Sequence, residues 1–222
     1  MATQVALHRA DLTTLTGLAS TGLVTAMRGV PEGDAAGFRE ALQVALDDLV
    51  ALFAPAAASL GADWYDDLRE EAEVRGRFQA IVADLPDAGR TQALAGWAVE
   101  PLFGATPDVA AVLTRADGGM QRIILDADRN TVARSAVADP QALGWQRTGV
   151  GSCAFCRMLI GRGAVYSEAT VQFASHDNCR CSAVPAFGGQ PLPVKPYTPT
   201  SRSITEADRA RVREYLRNHP EL

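Results

Sequence analysis

"GSCAFCRMLIGRG" at residues 151–163 and "ASHDNCRC" at 174–181 together hold all four cysteines of the chain and one of its three histidines. Cys153 and Cys156 form a CxxC pair, a turn that brings two sulfurs within reach of one ion. His176, Cys179 and Cys181 supply three more donors further along the chain. Tetrahedral zinc takes four Cys or His ligands, so the cluster offers one more than is needed. His176 and Cys179 stand in the same relation as the CxxC pair, and a single turn is expected to aim both at the metal. Cys179 and Cys181 are expected to point to opposite faces of an extended stretch. The preferred quartet is therefore Cys153, Cys156, His176 and Cys179. Cys181 could instead replace His176 or Cys179, with a displaced His serving as a donor to a ligand.

Working outward, the texture before the cluster is helical. Phe38, Leu42, Leu46, Leu49, Val50 and Phe53 recur at steps of three and four residues, which predicts a helix opening after Gly33-Asp34 and stopping before Pro55. Further helices are predicted at 11–28, 62–75, 87–99, 107–116 and 119–137. Asp11, Asp87 and Asp108 are placed near helix starts as caps or dipole partners. Breaks fall at "GVPEGD", "DLPDAG", "FGATP" and "DGG". After Asp139-Pro140, "LGWQRTGVGSC" reads as a short strand leading into a turn. Past Pro185 the chain becomes Pro- and Gly-rich, reading as an extended linker. It ends in a helix from Thr205 to about Asn218, with Thr205 and Asp208 as a variant capping box.

The fold class expected is mainly α with a small β contribution (α+β). A helical domain over 1–138 is followed by a Cys/His zinc-type module with short strands over 139–187, and then by a linker and terminal helix over 188–222. A chain of 222 residues builds a core without staples. No basic segment leads into an apolar run at the N-terminus, and no stretch approaches the ~20 uninterrupted apolar residues of a spanning helix. These features predict a soluble protein of a reducing compartment with no membrane partner, where clustered thiols read as metal ligands or redox groups.

The net charge of −5 argues against a surface built to neutralise phosphates. "DWYDDLREEAE" at 63–73 is read as a solvated helix face, while Arg147, Arg157, Arg162 and Arg180 make the cysteine region locally basic. His8 and His219, in terminal segments, are read as exposed. Disulfides across 153/156 and 179/181 satisfy the spacing equally well but need an oxidising compartment. A thioredoxin-like CxxC lacks its βαβ context, and a zinc deaminase lacks its HxE and PCxxC. With four or five thiolate and imidazole donors the site is saturated, which points to a structural clamp rather than an open catalytic metal.

"CAFCRMLIGRGAVY", a spacer, and "HDNCRC" followed by Pro185 resemble the C-terminal module of the phage Mu F-like minor head proteins, closest to the versions in phages of actinobacteria. "LGADWYDDLREEA" (60–72) and "DPQALGWQRTGVGSC" (139–153) extend the likeness over about 56–187. The resemblance implies a virion protein present in a few copies inside the head near the portal, made in the host cytoplasm and incorporated during assembly. It implies roles in head morphogenesis and DNA passage, no enzymatic activity, and contacts with portal protein, major capsid protein or packaged DNA. The family's metal assignment carries over to Cys153, Cys156, His176, Cys179 and Cys181. The expected device is mechanical: zinc closes a module of roughly 40 residues that is too small to hold itself. That module is expected to present Arg157, Arg162, Arg180, Trp145 and Tyr166 to a partner. The competing class is a head-associated enzyme, either a maturation protease or a metal-dependent nuclease using His176 and Asp177.

Overall fold

A computed structural model describes residues 2–149, 154–164, 166, 173, 175–188 and 206–218. Its elements in chain order are α1 (Ala2–Ala26), α2 (Ala35–Glu71), α3 (Ala88–Ala98), a 3-10 turn (Glu100–Phe103), α4 (Val109–Ala138), β1 (Ala142–Thr148), α5 (Ala154–Ile160), β2 (Ser182–Phe187) and α6 (Glu206–Asn218). The chain is thus mostly helical with one small antiparallel sheet, as the α+β reading expects.

α4 is the axis of the molecule. It touches α1, α2, α3 and both strands, and every residue from Ile123 to Arg129 is buried, which is why it shows no clean amphipathic stripe. α2 opens where Asp34 accepts hydrogen bonds from the N–H groups of Ala36 and Gly37, satisfying donors that the first helical turn leaves unpaired. Phe38, Leu42, Leu46 and Val50 then bury the predicted stripe against α1, α3 and α4. Each such side chain contributes about 1.5–3 kcal/mol on burial.

Two helices are longer than the sequence suggests. α2 does not stop at Pro55 but continues to Glu71, absorbing the segment predicted as a separate helix. A proline in a helix interior costs about 3 kcal/mol. The buried residues Leu46, Val50 and Ala54 before Pro55 and Ala57, Ala58, Trp64, Tyr65 and Leu68 after it outweigh that cost by packing both halves of the helix into the fold. By length and composition α2 is also apolar enough to cross a membrane, unlike anything the sequence reading anticipated; in this fold its stripe is core.

α4 likewise runs through "DGG". There the glycines serve close approach: a Cβ on Gly119 would strike the Leu94 side chain, and one on Gly118 would lie 3.1 Å from Asn178. α1 begins well before residue 11, so Asp11 is an exposed mid-helix residue and not a cap. Asp108 does cap α4, accepting from the Ala111 N–H at 2.9 Å. Asp87 precedes α3 without a side-chain cap bond.

β1 and β2 pair antiparallel, with Trp145 opposite Pro185 and Thr148 opposite Ser182. At Trp145 the backbone turns its N–H and carbonyl away from β2 and exchanges them with Tyr166, at 2.9 and 3.1 Å. Pro185 therefore sits where the ladder asks nothing of its nitrogen, so a proline is tolerated inside the strand. The strand extends to Phe187, two residues into the stretch expected as linker. Residues 189–204 of that linker and Thr205 lie outside the described residues.

The apolar interior has two centres. The larger gathers α1, α2, α3 and the first part of α4. The smaller joins Trp64, Tyr65 and Leu68 of α2 and Val132, Ala133 and Ala136 of α4 to Trp145, Tyr166, Phe173, Ala183, Val184 and three cysteines. Trp145 stacks on Tyr166 at 4.4 Å and on Phe173 at 5.4 Å. Neither Trp145 nor Tyr166 is therefore available to a partner, contrary to expectation: as the bulkiest apolar groups of the region, they are its core.

Candidate metal centre

The second cysteine segment is held on α4. Asn178 adopts φ +60, and the Cys179 N–H donates to the His176 carbonyl at 3.1 Å, closing a turn over 176–179 that rests against Gly118. Asn is among the few non-glycine residues that tolerate this left-handed backbone. Beyond the turn the chain runs extended through Arg180 and Cys181 into β2.

Cys156, on α5, meets this segment. The sulfurs of Cys156, Cys179 and Cys181 lie within 4.8 Å of one another, all buried, and no disulfide joins any two of the three. The Cys156 and Cys179 Sγ atoms are 3.7 Å apart, and His176 Nε2 is 3.4 Å from Cys156 Sγ. His176 Nδ1 faces the Asp177 carbonyl at 2.8 Å. A proton placed on Nδ1 by that carbonyl leaves Nε2 as a lone-pair donor aimed at the thiols. These buried cysteines could hold a metal ion.

The expectation that Cys179 and Cys181 diverge is corrected. Side chains two apart on an extended chain share a face, and these two do. A CxC in a strand-like segment is thus a pair of converging donors. Gly149 leaves room for it: a Cβ there would sit 2.8 Å from Cys181 Sγ. Cys153 lies outside the described residues. Among the described residues the three sulfurs form the close set, and His176 touches it through Cys156 alone.

The thiols polarise one another. Contacts from Cys156 and then Cys181, with help from Arg129, hold the Cys179 thiol far below its ordinary value against the opposing effect of burial. Cys181 is drawn down by Cys156, yet ends raised because Cys179 and burial oppose its ionisation. A cation at the cluster would favour ionisation of the thiols.

Sequence reasoning missed Arg129. Its guanidinium is buried and donates through Nε to the Cys181 carbonyl at 2.8 Å and through Nη2 to the Cys179 carbonyl, while Nη1 pairs with Asp126 at 3.1 Å. Asp126 also accepts from Ser175 Oγ at 2.6 Å and Arg90 at 2.9 Å. One arginine on α4 therefore fixes both carbonyls of the Cys-Arg-Cys stretch, which explains why the two sulfurs face the same way. Nothing local marks residue 129, since its partners are 50 and 52 positions away.

Asp177, the carboxylate proposed for a nuclease, turns to Arg122 at 3.1 Å. His8, expected exposed, is buried: Nε2 lies 2.8 Å from Asp128 Oδ1, and the ring stacks on Trp64 at 3.9 Å. Burial follows from α1 starting at Ala2, which carries residue 8 over the α2–α4 crossing. His219 lies outside the described residues. Arg157, Arg162 and Arg180 are exposed as expected, whereas Arg147 is buried over the Phe173 ring at 3.7 Å. Asp63, Asp67, Glu70, Glu71 and Glu73 are exposed, as a solvated acidic face requires.

Fold and site define a helical protein whose C-terminal segment is pinned to its central helix beside a buried thiol cluster. The chain matches the VG15 protein family over residues 1–203 and belongs to that family, which is a family of viral proteins. No curated protein and no solved structure gives a significant match.

Proposed function

We propose that this chain is a structural, non-enzymatic component of a phage head, a minor head protein of the Mu F-like kind that contacts portal or major capsid protein. It enters the head during assembly in the host cytoplasm. Its thiol cluster binds one structural zinc ion. The observation that carries this reading is the cluster itself: three buried thiols lie within 4.8 Å of one another with the His176 imidazole against one of them, anchored by Arg129 rather than opened to solvent. With zinc–sulfur bonds of about 2.3 Å, a tetrahedral ion separates neighbouring sulfurs by roughly 3.8 Å. The 3.7 Å between Cys156 and Cys179 matches that edge. It is far beyond the ~2.05 Å of a disulfide.

The reading of a clamp over a nuclease rests on the same geometry. A hydrolytic centre needs an open metal position and a base near the reacting water. Here the adjacent carboxylate, Asp177, is engaged by Arg122 and the second imidazole nitrogen by backbone.

The test measures zinc in purified protein and follows the chain through infection. One zinc per chain, its loss in His176→Ala but not in Asp177→Ala, and recovery of the chain in mature heads with portal protein support the proposal. Absence of zinc refutes the clamp. Nuclease or protease activity that disappears in Asp177→Ala, with fold and zinc retained, replaces the structural reading by the enzymatic one.

A further inference from the structure

Beside the cluster, on the α1 side, lies a cavity of about 320 Å³ lined by Arg9, Leu12, Thr13, Leu125, Arg129, Arg180, Cys181 and Ser182. Three arginines and no carboxylate belong to this lining, in a chain with 26 acidic and 21 basic residues. Several other arginines pair with acids: Arg69 with Asp139, Arg90 and Arg129 with Asp126, Arg115 with Glu100, Arg122 with Asp177 and Arg134 with Asp84. Among the described residues Arg9 and Arg180 have no such acid, although both line a cavity. Arg9 donates to Thr148 Oγ1 at 3.3 Å, and its Nε is buried with no partner among the described residues. Arg180 is held by neutral groups, Thr16 Oγ1 at 3.2 Å and Gln121 Oε1 at 2.9 Å.

We propose that this cavity receives a glutamate or aspartate side chain from an acidic, partly apolar segment of a partner protein. The carboxylate lies between the Arg9 and Arg180 guanidinium groups, and the adjoining apolar side chain lies against Leu12 and Leu125. Planar guanidinium forks match a carboxylate with paired hydrogen bonds. A buried donor left unpaired costs free energy that such a ligand recovers. The apolar walls suit a methylene stem and a hydrophobic neighbour, which a phosphate lacks. A nucleic-acid strand would also bring a charge at every phosphate against a protein of net −5, whereas the cavity needs only one side-chain carboxylate. The proposal rests on the protein-contact reading above only in taking the partner to be a protein; binding by the purified chain is independent of any portal.

The test uses NMR of the arginine Nε–H signals of the full chain as purified, titrated with the blocked peptide Ser-Glu-Leu-Ser and with its Gln counterpart. The expected result is a saturable shift at Arg9 and Arg180 with the Glu peptide, at least about tenfold weaker with the Gln peptide. Arg9→Gln and Arg180→Gln should each weaken Glu-peptide binding by about tenfold or more, and Arg28→Gln, on an exposed turn, should leave it unchanged. If either cavity variant loses its native spectrum, the two-peptide comparison on the unaltered chain decides. Equal binding of both peptides, no saturable shift, or the same signals saturating at lower concentration with inorganic phosphate or oligo-dT would overturn the proposal.

Discussion

Arg129 shows how one side chain decides a site. Cys179 and Cys181 can present two sulfurs to one point only if the backbone between them stays extended, and the guanidinium enforces this by holding both carbonyls from one side. Lysine keeps the charge but offers a single nitrogen without the fork. Arg129→Lys should therefore destabilise the chain by roughly 1.5–3 kcal/mol. It should also weaken zinc binding by about 10–100-fold, as loss of an outer partner of metal ligands does. Urea unfolding and competition with a chromophoric chelator measure the two effects. Unchanged zinc affinity in a folded variant would mean that Arg129 supports only the fold. The cysteine spacing was legible in the sequence because metal ligands come in close pairs. Arg129 was not, because an arginine inside a helix reads as surface until its distant carbonyl partners are known.

At the scale of elements, breaker residues misled where tertiary contacts overrule local preference. Pro55 and Gly118-Gly119 interrupt the helical period in the sequence, yet both lie inside long helices because packing on both sides stabilises the continuous form. Gly61 makes this testable. It sits where α2 crosses α4, and a Cβ there would come within 2.9 Å of the Asp128 carbonyl oxygen, a backbone atom that cannot move aside. Alanine is favoured over glycine in a helix interior by about 1 kcal/mol. At Gly61 the clash should win, so Gly61→Ala should lower stability by about 1–3 kcal/mol. Gly17, on the exposed side of α1, has nothing within 4 Å of such a carbon. Gly17→Ala should therefore raise stability by roughly 0.5–1 kcal/mol. Thermal melts of the two variants should move in opposite directions; matching shifts would show that propensity, not the crossing, governs both sites. The stripe from Phe38 to Phe53 was legible because its period is unambiguous. The crossing was not, because its partners are far apart in sequence.

For the whole molecule, two apolar centres share α2 and α4, but the donors belong only to the smaller one. The larger core is built from helices with their own long stripes. The smaller depends on bringing β1, α5, Phe173 and residues 175–187 together, segments too short to be stable alone. Binding of the proposed ion would therefore be coupled to the order of one end of the protein and not to all of it. Treatment with a strong chelator should raise amide hydrogen exchange in 142–148, 156–160 and 179–187 by at least an order of magnitude. Amides of 38–54 and 112–125 should remain nearly as protected as before. Trp145 and Trp64 lie in the smaller core and Trp97 is partly exposed outside it, so the fluorescence of the first two should shift to the red on the same time course. Acid should mimic the chelator, because protons compete with the ion for thiolates and imidazole, so protection in these segments falls as pH is lowered. Cooperative loss of protection across both cores would instead make the ion a requirement for the entire fold, and the helical part would then have no stability of its own.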